Sequence, residues 1–370
     1  MRVGEVSVIV PTYNRAARVA RAVESVLAQT YPRCHAVVVV DGSTDGVAAR
    51  LAACFGANPR VRQLSQPNRG PAAARNLALA QLDAEYVAFL DPDDVWRPWK
   101  LEAQIACLEL LRGEGVGLIW GDMDVVDDAG ALRVADANRQ MYGAYRLVRL
   151  HEAFSGSLPL SRLRRAWSDE APDLDSKVWW GDVYGWMARG NLCPTPSVVL
   201  TRERAAATGR FDESMQTGED YDYFLRASAL GPCAFLDAAV FSCREGHGDR
   251  LTSPAQEVAI AENALRALEE ALAGEGTRPP HLTPATIRDR RAHLHAWIGG
   301  ELLNRRDHRG ARRHLASSLQ HRPLQPRLWG LLAAASLPPG WTEGLRRTIV
   351  APGMAARATS RTSDRRPPVT

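Results

Sequence analysis

The first 120 residues alternate short apolar runs with segments in which apolar residues recur at helical spacing. Residues 6–10 and 36–40 are runs rich in β-branched residues, and the segment between them places Val19, Val23 and Val26 on one face of a helix. The same alternation predicts strands at 61–64, 86–90 and 116–120 and helices at 47–54, 72–82 and 101–111. This pattern indicates an α/β fold with a parallel sheet.

Polar residues cluster directly after three of the predicted strands. Pro11-Thr-Tyr-Asn-Arg15 follows the first strand, Asp41-Gly-Ser-Thr-Asp45 follows the second, and Asp91-Pro-Asp-Asp94 follows the strand that ends at Leu90. Ligands of open α/β sheets bind outside the carboxyl ends of the strands, so we expect these three loops to converge on one crevice. The topology alone therefore predicts a binding site there.

The pattern changes twice in the rest of the chain. Periodicity fades over residues 140–190, which carry four tryptophans and are interpreted as an insertion over the site. A strand at 196–200 and a helix at 222–230 follow, and beyond 255 the chain is all-helical, with helices predicted at 255–273, 284–303, 310–320 and 326–335. Residues 301–337 resemble one tetratricopeptide-type helix pair, and residues 356–370 are predicted to be disordered.

Composition constrains the compartment and the partners. Six cysteines without a Cys-x-x-Cys pair indicate a reducing cytosol, and we expect neither a secretory signal nor a membrane-spanning helix. The net charge is only +4, yet arginine is dense after position 285. This basic region predicts either peripheral contact with the anionic inner face of a membrane or a solvated cap on the preceding domain, and both interpretations stay open. Nucleic acid binding is not expected, because the arginines lack a recognisable module.

Asp91, Asp93 and Asp94 bring three carboxylates together at the end of a buried strand. Hard oxygen ligands in such a cluster suit Mg²⁺ or Mn²⁺. A structural alternative is a helix start, with Asp94 as the N-cap of a helix entered near Trp96 and Pro98 in its first turn. Capping gives no role to Asp91 or Asp93, so both interpretations are kept.

Residues of three segments at the predicted crevice suit a nucleotide. Asp41 is placed to accept the imide N–H of a uracil or thymine ring, while Thr12 and Tyr13 supply a hydroxyl and a stacking face. The alternative for Asp41 is an Asx turn in Asp-Gly-Ser. Arg75, a turn inside the predicted helix 72–82, is suited to a base carbonyl or a phosphate, and its alternative is a solvent-exposed position on the helix.

Four motifs in this order resemble the family 2 glycosyltransferases of the GT-A fold. They are Val8-Ile-Val-Pro-Thr-Tyr-Asn-Arg15, Asp41-Gly-Ser-Thr-Asp45, Asn68-Arg-Gly-Pro-Ala-Ala-Ala-Arg-Asn76 and Phe89-Leu-Asp-Pro-Asp-Asp94. The resemblance implies an α/β fold with a mixed, mostly parallel sheet flanked by helices and a Rossmann-like nucleotide-binding half. It also implies a nucleotide-diphosphate sugar donor of the UDP, dTDP or GDP type, an Asp-x-Asp motif that binds Mg²⁺ or Mn²⁺, and an inverting displacement.

By matching position, the resemblance also implies roles for individual residues. The nucleotide-sugar would be held by Pro11, Thr12, Tyr13, Asn14, Arg15, Asp41, Arg75, Asp91 and Asp93. The implied metal ligands are Asp91 and Asp93, with Asp94 as an alternative. Arg244-Glu-Gly-His247 resembles the family's late Arg-x-x-His element, which makes His247 a further candidate ligand.

Gly218-Glu-Asp-Tyr-Asp222 resembles the segment that carries the catalytic base of the family. An inverting transfer needs a carboxylate near the acceptor hydroxyl, and Asp220 is assigned this role, with Glu219 second. The structural alternative is a helix N-terminus whose acidic residues favour the macrodipole. Asp122-Met-Asp124 repeats the Asp-x-Asp spacing and is a secondary metal candidate, next to a predicted hairpin turn at residues 127–130.

These observations predict an inverting glycosyltransferase that acts on a hydroxyl of a glycan, a lipid-linked sugar or a protein, in polysaccharide, lipopolysaccharide or related glycan biosynthesis. Its catalytic domain spans residues 1–250, with a nucleotide-sugar half at 1–125, the insertion at 140–190 and an acceptor half at 191–250; the helical region spans 255–345. Two alternatives stay open. One is a sugar nucleotidyltransferase, which usually has a Gly-rich loop after the first strand, and the other is a non-catalytic carbohydrate-binding or scaffold protein.

Overall fold

Two compact units divide the chain at Thr283 in the computed structural model, which describes residues 2–163, 172–244, 254–273 and 282–336. The strands of the first unit are β1 Arg2–Thr12, β2 Cys34–Asp41, β3 Val61–Gln66, β4 Ala84–Phe89, β5 Val95–Trp96, β6 Leu118–Val126, β7 Leu132–Val134, β8 Gly156–Pro159, β9 Lys177–Gly181, β10 Val199–Thr201 and β11 Cys233–Arg244. Its helices are α1 Val19–Leu27, α2 Val47–Phe55, α3 Pro71–Leu79, α4 Lys100–Leu110, α5 Asn138–Met141, α6 Leu150–Ala153, α7 Tyr184–Met187, α8 Arg202–Thr208, α9 Glu219–Ala229 and α10 Glu257–Ala273. The second unit contains α11 Pro284–Asn304, α12 His308–His321 and α13 Pro326–Ser336.

One mixed sheet runs through the first unit, with the strand order β3-β2-β1-β4-β10-β6-β11-β9-β8. β1 to β4 are parallel to their neighbours among themselves, and β6 is parallel to β11. β10 and β9 run against the strands beside them. Seven of these nine strands therefore point the same way, which confirms the predicted mostly parallel sheet and its Rossmann-like half.

The core of the first unit explains why the apolar periodicities form these elements. Val6, Val8 and Val10 of β1 are completely buried, and so are Val19 and Val23 of α1, which belong to the same cluster. Burying each such side chain contributes roughly 1.5–3 kcal/mol. Apolar residues recur at every second position of a strand and at every third or fourth position of a helix, so each element presents one continuous apolar surface. These surfaces pack against each other.

Asp94 does not cap a helix, and that interpretation is wrong. The two residues that follow it pair as β5 with β11, where Trp96 lies opposite Phe241. α4 then begins only at Lys100, after Trp99. A tertiary strand pairing therefore overrides the local signal for a helix start, and all three aspartates lie in the loop between β4 and β5.

The aromatic insertion belongs in large part to the core. β8 and β9 extend the sheet beyond β11, and the rings of Tyr145 and Phe154 pack against Phe235. Trp186 is also buried. The rings of Tyr145, Phe154 and Trp186 are therefore not available to cover the crevice. The large apolar area of the insertion is used instead to build the far half of the sheet.

The second unit has a small core of its own, formed by Leu303, Ala311, Leu315, Leu331 and Ala335. A Cβ added to Gly299 of α11 would lie 2.8 Å from Leu315 Cγ of α12, so glycine permits the close approach of these two helices. The four predicted C-terminal helices are confirmed within a few residues, but α10 belongs to the first unit and not to the helical one. The tail at 356–370 lies outside the described residues.

Candidate active site

The loops after β1 and β2 are tied together at the carboxyl edge of the sheet. Asn14, whose φ is +50°, donates its backbone N–H to Ser43 Oγ at 3.1 Å and accepts the Thr44 N–H at 2.9 Å. The Ala16 N–H donates to Asp45 Oδ2 at 2.8 Å. The segments that contain Pro11–Arg15 and Asp41–Asp45 are therefore adjacent, as the sheet topology predicts.

Asp41 is buried at the end of β2 and braces the loop that leads into α3. Its carboxylate accepts from Gln66 Nε2 at 2.8 Å, from the Arg69 N–H at 2.9 Å and from the Gly70 N–H at 2.8 Å. The Asx-turn interpretation is wrong, since these partners lie on the β3–α3 segment. Gly42, at φ +67°, allows this packing, because a Cβ there would lie 2.4 Å from the Asn68 nitrogen.

The nucleotide candidates beside Asp41 differ in exposure. The Thr12 hydroxyl is buried and makes no hydrogen bond with any part of the chain that the structure describes. Tyr13 is half exposed and presents a ring to solvent. A buried hydroxyl without a partner is destabilising by itself, which is the pattern expected of a binding group more than of a core residue.

Arg75 bridges the two acidic parts of the crevice. It is only 4% exposed, so its interpretation as a solvent-exposed helix residue is wrong. Nη1 donates to Glu219 Oε1 at 2.6 Å and Nη2 donates to Asp91 Oδ1 at 3.2 Å, while Cζ lies 5.4 Å from the centre of the Phe211 ring. A single buried guanidinium therefore links α3, the loop after β4 and the start of α9.

The aspartates after β4 lie beside this bridge. Asp91 is about one third exposed, whereas Asp93 is less exposed and lies 4.0 Å from Arg15 Nε. Asp94 is buried. Desolvation in the crevice raises the pKa of Asp91 to about 6; Arg75 opposes this shift, and the nearby Asp93 and Asp220 add to it. Negative charge is thus concentrated here and is only partly compensated.

Glu219 and Asp220 open α9, directly after Gly218, whose φ is +75°. Glu219 is buried, and this burial raises its pKa despite the Arg75 guanidinium. Asp220 is half-buried, and its Oδ2 accepts the Thr195 hydroxyl at 2.9 Å. The helix N-terminus expected as a structural alternative is therefore present, and the same residues also face the acidic crevice.

The second Asp-x-Asp pair, Asp122 and Asp124, lies inside β6 and not after it. Asp122 Oδ1 accepts from the N–H groups of Met123 and Asn138, at 2.7 and 2.9 Å. Asp124 Oδ2 accepts from Arg97 Nη2 at 2.5 Å, and its Oδ1 accepts from the Asp136 N–H. Both carboxylates thus hold the segment after the predicted hairpin turn, which is observed between β6 and β7.

Two residues near the crevice carried no signal in the sequence. Thr195 lies in an irregular Pro-rich segment, and Tyr142 lies where periodicity fades. Burial raises the pKa of Tyr142 well above its usual value, with Asp220 and Asp91 among the other causes.

His247 lies outside the described residues. Within the described ranges, no group of three or more His, Cys, Asp or Glu side chains is arranged to hold a metal ion, and no helix has the length and hydropathy that crossing a bilayer requires.

Comparison of the sequence with known proteins gives a family and relatives. Residues 7–156 match the family described as Glycosyl transferase family 2. The succinoglycan biosynthesis protein ExoO of Rhizobium meliloti (strain 1021) is 32% identical over 257 residues, which are 68% of this chain and 64% of that protein. An uncharacterized glycosyltransferase of Rickettsia felis is 41% identical over 105 residues, 28% of this chain and 17% of that protein. The chain thus spans less than two thirds of the length of these relatives.

Solved structures with a similar fold cover nearly the whole chain. S. aureus TarS in complex with UDP aligns over 93% of this chain and 90% of its own, with a TM-score of 0.55 and 17% identity. The mannosyltransferase PcManGT from Pyrobaculum calidifontis, in complex with GDP-Man and Mn²⁺, aligns over 93% of this chain and 84% of its own, with a TM-score of 0.50 and 19% identity. At these identities the likeness shows the fold alone.

Proposed function

We propose that this chain, which carries a family 2 glycosyltransferase domain of the GT-A fold, transfers a sugar from a nucleoside diphosphate sugar to a hydroxyl acceptor during polysaccharide or related glycan synthesis. The observation that supports this most directly is the Arg75 bridge. It brings Asp91, on the donor side of the crevice, and Glu219, beside the proposed base Asp220, to one guanidinium. The transfer requires the donor and the acceptor to be held close together in a fixed orientation, and a group that contacts both sides of the crevice suits this requirement.

The donor side of the crevice fits a nucleotide. Asp41 keeps one lone pair, on Oδ2, beyond its three hydrogen bonds. The Thr12 hydroxyl has no partner among the described residues, and Tyr13 offers an exposed ring for stacking. Pro11, Asn14 and Arg15 complete the proposed loop. Proteins of the same fold were solved with UDP and with GDP-Man, which supports a donor of the UDP, dTDP or GDP type.

Mg²⁺ or Mn²⁺ fits the donor set that these residues offer. Asp91 and Asp93 supply two partly exposed carboxylates in one loop, with Asp94 beside them. Mg²⁺ is usually held by one or two carboxylates together with substrate phosphates, so a complete protein cage is not required. When bound, the ion would neutralise the charge that develops on the diphosphate.

Asp220 is the proposed base of an inverting displacement, with Glu219 held too tightly by Arg75 for this role. The acceptor oxygen forms a bond to C1 of the sugar while its proton passes to the Asp220 carboxylate. The bond between C1 and the diphosphate oxygen breaks, and the nucleoside diphosphate leaves with the electron pair. Asp220 is half-buried and therefore both accessible and shielded from bulk water.

Turnover is tested with UDP-glucose, UDP-N-acetylglucosamine, dTDP-glucose and GDP-mannose in the presence of Mn²⁺, by measuring release of the nucleoside diphosphate. We expect one nucleotide class to be turned over and Asp220→Asn to lower the rate by roughly 10²–10⁴-fold. Asp222→Asn is the matched control, because Asp222 lies on the same helical turn but pairs with Arg226. If acidic residues here serve only the helix dipole, neither variant changes the rate. No release from any donor by folded protein would contradict the proposal.

Peripheral membrane contact through the second unit is part of the proposal. Ten arginines and only three acidic residues lie between Leu282 and Ser336, a net charge of +7. Leu324 is 89% exposed and lies in the sequence between the exposed Arg322 and Arg327. Trp329 is 54% exposed and follows Arg327 by two residues. Apolar side chains flanked by arginines suit an anionic bilayer surface, where each arginine contributes about 1 kcal/mol.

This contact would place a cytoplasmic enzyme on the inner face of the membrane, in the reducing compartment that six cysteines without a Cys-x-x-Cys pair favour. Flotation with phosphatidylglycerol vesicles tests the contact. We expect binding that is weakened by salt and by Leu324→Glu, but unchanged by the control Leu132→Glu, an exposed leucine of the first unit. Equal binding to vesicles of phosphatidylcholine alone would exclude an electrostatic contact.

A further inference from the structure

A buried threonine holds one oxygen of the proposed base. The Thr195 hydroxyl donates to Asp220 Oδ2 at 2.9 Å, while Asp220 Oδ1 accepts from the Tyr221 N–H at 2.7 Å. Thr195 is only 5% exposed, so its hydroxyl is not a general surface group. We propose that Thr195 is the positioning residue that fixes the Asp220 carboxylate toward the acceptor hydroxyl, an inference that rests on the proposed role of Asp220.

The turn that presents Thr195 is rigid. Thr195–Ser197 is a single 3₁₀ turn between Pro194 and Val198, and the Ser197 hydroxyl donates to the Pro194 carbonyl at 2.7 Å. Pro194 and Pro196 each fix one backbone φ. Since a hydroxyl on a fixed backbone has few alternative positions, its hydrogen bond can restrict the rotamer of Asp220 instead of following it.

The turn is anchored to the segment that follows the donor carboxylates. Trp96 Nε1 donates to the Pro196 carbonyl at 2.8 Å, and Gln104 Nε2 donates to the Ser197 carbonyl at 2.8 Å. Lys100 is completely buried between these two anchors, with Nζ 2.7 Å from Gln104 Oε1 and 4.0 Å from the centre of the Trp96 ring. Burial lowers the pKa of Lys100 well below its usual value.

This connection gives the threonine a role beyond local stability. Trp96 follows Asp94 by two residues, so the backbone that carries Asp91 and Asp93 also supports the turn that holds Asp220. The separation of the donor carboxylates from the base is thereby set by buried hydrogen bonds. Displacement of a reacting group by about 1 Å can lower a rate by about 10²-fold, so this separation matters for kcat.

The test compares Thr195→Val, Thr195→Ser and the control Thr208→Val in the nucleoside diphosphate release assay with the donors named above. Valine keeps the shape of threonine but cannot donate, and we expect kcat to fall by roughly 10–100-fold with the KM for donor unchanged. Serine restores the donor and should recover kcat to within about threefold. Thr208→Val makes the same replacement at a buried threonine of α8, whose hydroxyl donates to the Arg204 carbonyl at 2.7 Å, so it should lower stability and leave kcat near the wild-type value.

A double-variant cycle separates positioning from a general effect on folding. In the Asp220→Asn background, Thr195→Val should produce no further fall in kcat, because the group it positions is gone. Equal falls in kcat for Thr195→Val in both backgrounds, or an unchanged kcat in the single variant, would overturn the inference while Asp220 keeps its role. If Asp220→Asn itself retains full turnover, the proposed base is wrong and the inference fails with it.

Discussion

Two of the Asp-x-Asp pairs in the first unit, Asp91 with Asp93 and Asp122 with Asp124, differ in their place in the sheet and in their partners. Asp91 and Asp93 lie in a loop beyond the end of β4, partly exposed, with Arg75 and Arg15 at their sides. Asp122 and Asp124 lie within β6 and are buried. The first pair retains unsatisfied charge at the edge of the sheet, whereas the oxygens of the second pair are largely used by backbone N–H groups and Arg97.

The difference shows that the position of an Asp-x-Asp pair relative to the end of its strand decides whether the carboxylates can bind a ligand. The spacing of the two aspartates does not decide it. Side chains beyond the last ladder hydrogen bond can converge on a ligand, while those inside the strand must find partners within the fold because an unpaired buried charge is costly. Asp122 and Asp124 therefore organise the segment around Asn138, and Asp91 and Asp93 remain available to a donor and a cation.

The largest expected effect separates the two pairs by activity. Asp93→Asn should lower the rate of nucleoside diphosphate release by roughly 10³-fold, since it removes a carboxylate ligand of the proposed Mg²⁺ or Mn²⁺ ion, and it should leave the thermal unfolding temperature nearly unchanged. Asp124→Asn should leave the rate within about threefold of wild type and lower the unfolding temperature modestly, since its partner Arg97 is partly exposed. Comparable losses of activity in both variants would remove the distinction.

The second effect concerns the arginines that accompany the pairs. Arg75→Met leaves Glu219 buried without its partner, and such a loss is destabilising by about 3–5 kcal/mol. Adding Glu219→Gln should recover part of this free energy of unfolding, because the amide carries no charge. Urea unfolding of the two variants measures both values; an Arg75→Met protein as stable as wild type would show that the bridge is not buried in solution.

A third effect is a pH dependence of stability to which the buried pair contributes through Asp122. Burial raises the pKa of Asp122 from 3.8 to about 6. Between these two values the folded protein keeps a proton that the unfolded chain loses. The contribution of Asp122 to the free energy of unfolding is therefore fully present below pH 4 and is lost as pH rises to about 6. The loss amounts to about 3 kcal/mol.

Asp122→Asn should accordingly reduce the pH dependence of the free energy of unfolding between pH 4 and pH 7. The asparagine amide keeps an acceptor for the N–H groups of Met123 and Asn138 but does not ionise. Chemical unfolding at several pH values measures the difference from wild type. Asp127→Asn is a control of opposite sign, since the Ala131 N–H lowers the pKa of Asp127 and its contribution is lost as pH falls. Parallel pH profiles for wild type and Asp122→Asn would contradict the raised pKa.

The smallest effect is expected at Arg97, the partner of Asp124. Its side chain is 44% exposed, and exposed ion pairs contribute about 0.2–1 kcal/mol. Arg97→Gln should therefore change the free energy of unfolding by less than about 1 kcal/mol, in contrast to the Arg75→Met variant. A loss of several kcal/mol in urea unfolding would mean that the two arginines are equivalent.

The sheet and the loops of the crevice were predictable because their signals are local. Strands β1, β2 and β4 are apolar runs that end in polar residues, and parallel strands bring such ends to one edge. The order of the far strands was not predictable, since β10 inserts between β4 and β6 by antiparallel pairing that leaves no periodic pattern in the sequence.

The partners of the site residues could not be predicted for a related reason. Arg75 meets Glu219 across 144 positions of sequence, and Thr195 reaches Asp220 from a turn without periodicity. The local sequence around Asp94 predicts a helix cap, but the pairing of Trp96 with Phe241 decides the structure of that region. Local chemistry indicates which residues are candidates, and long-range packing decides what each one touches.

Calorimetric titration of the protein with UDP, dTDP and GDP, with and without Mn²⁺, tests the central claim most directly. The account predicts that one of the three binds at least about tenfold more tightly with Mn²⁺. It also predicts that the Asp91→Ala, Asp93→Ala double variant abolishes that gain, whereas an Asp124→Asn variant retains it. Failure of folded protein to bind any of the three, or metal-dependent binding that survives in the double variant, would contradict it.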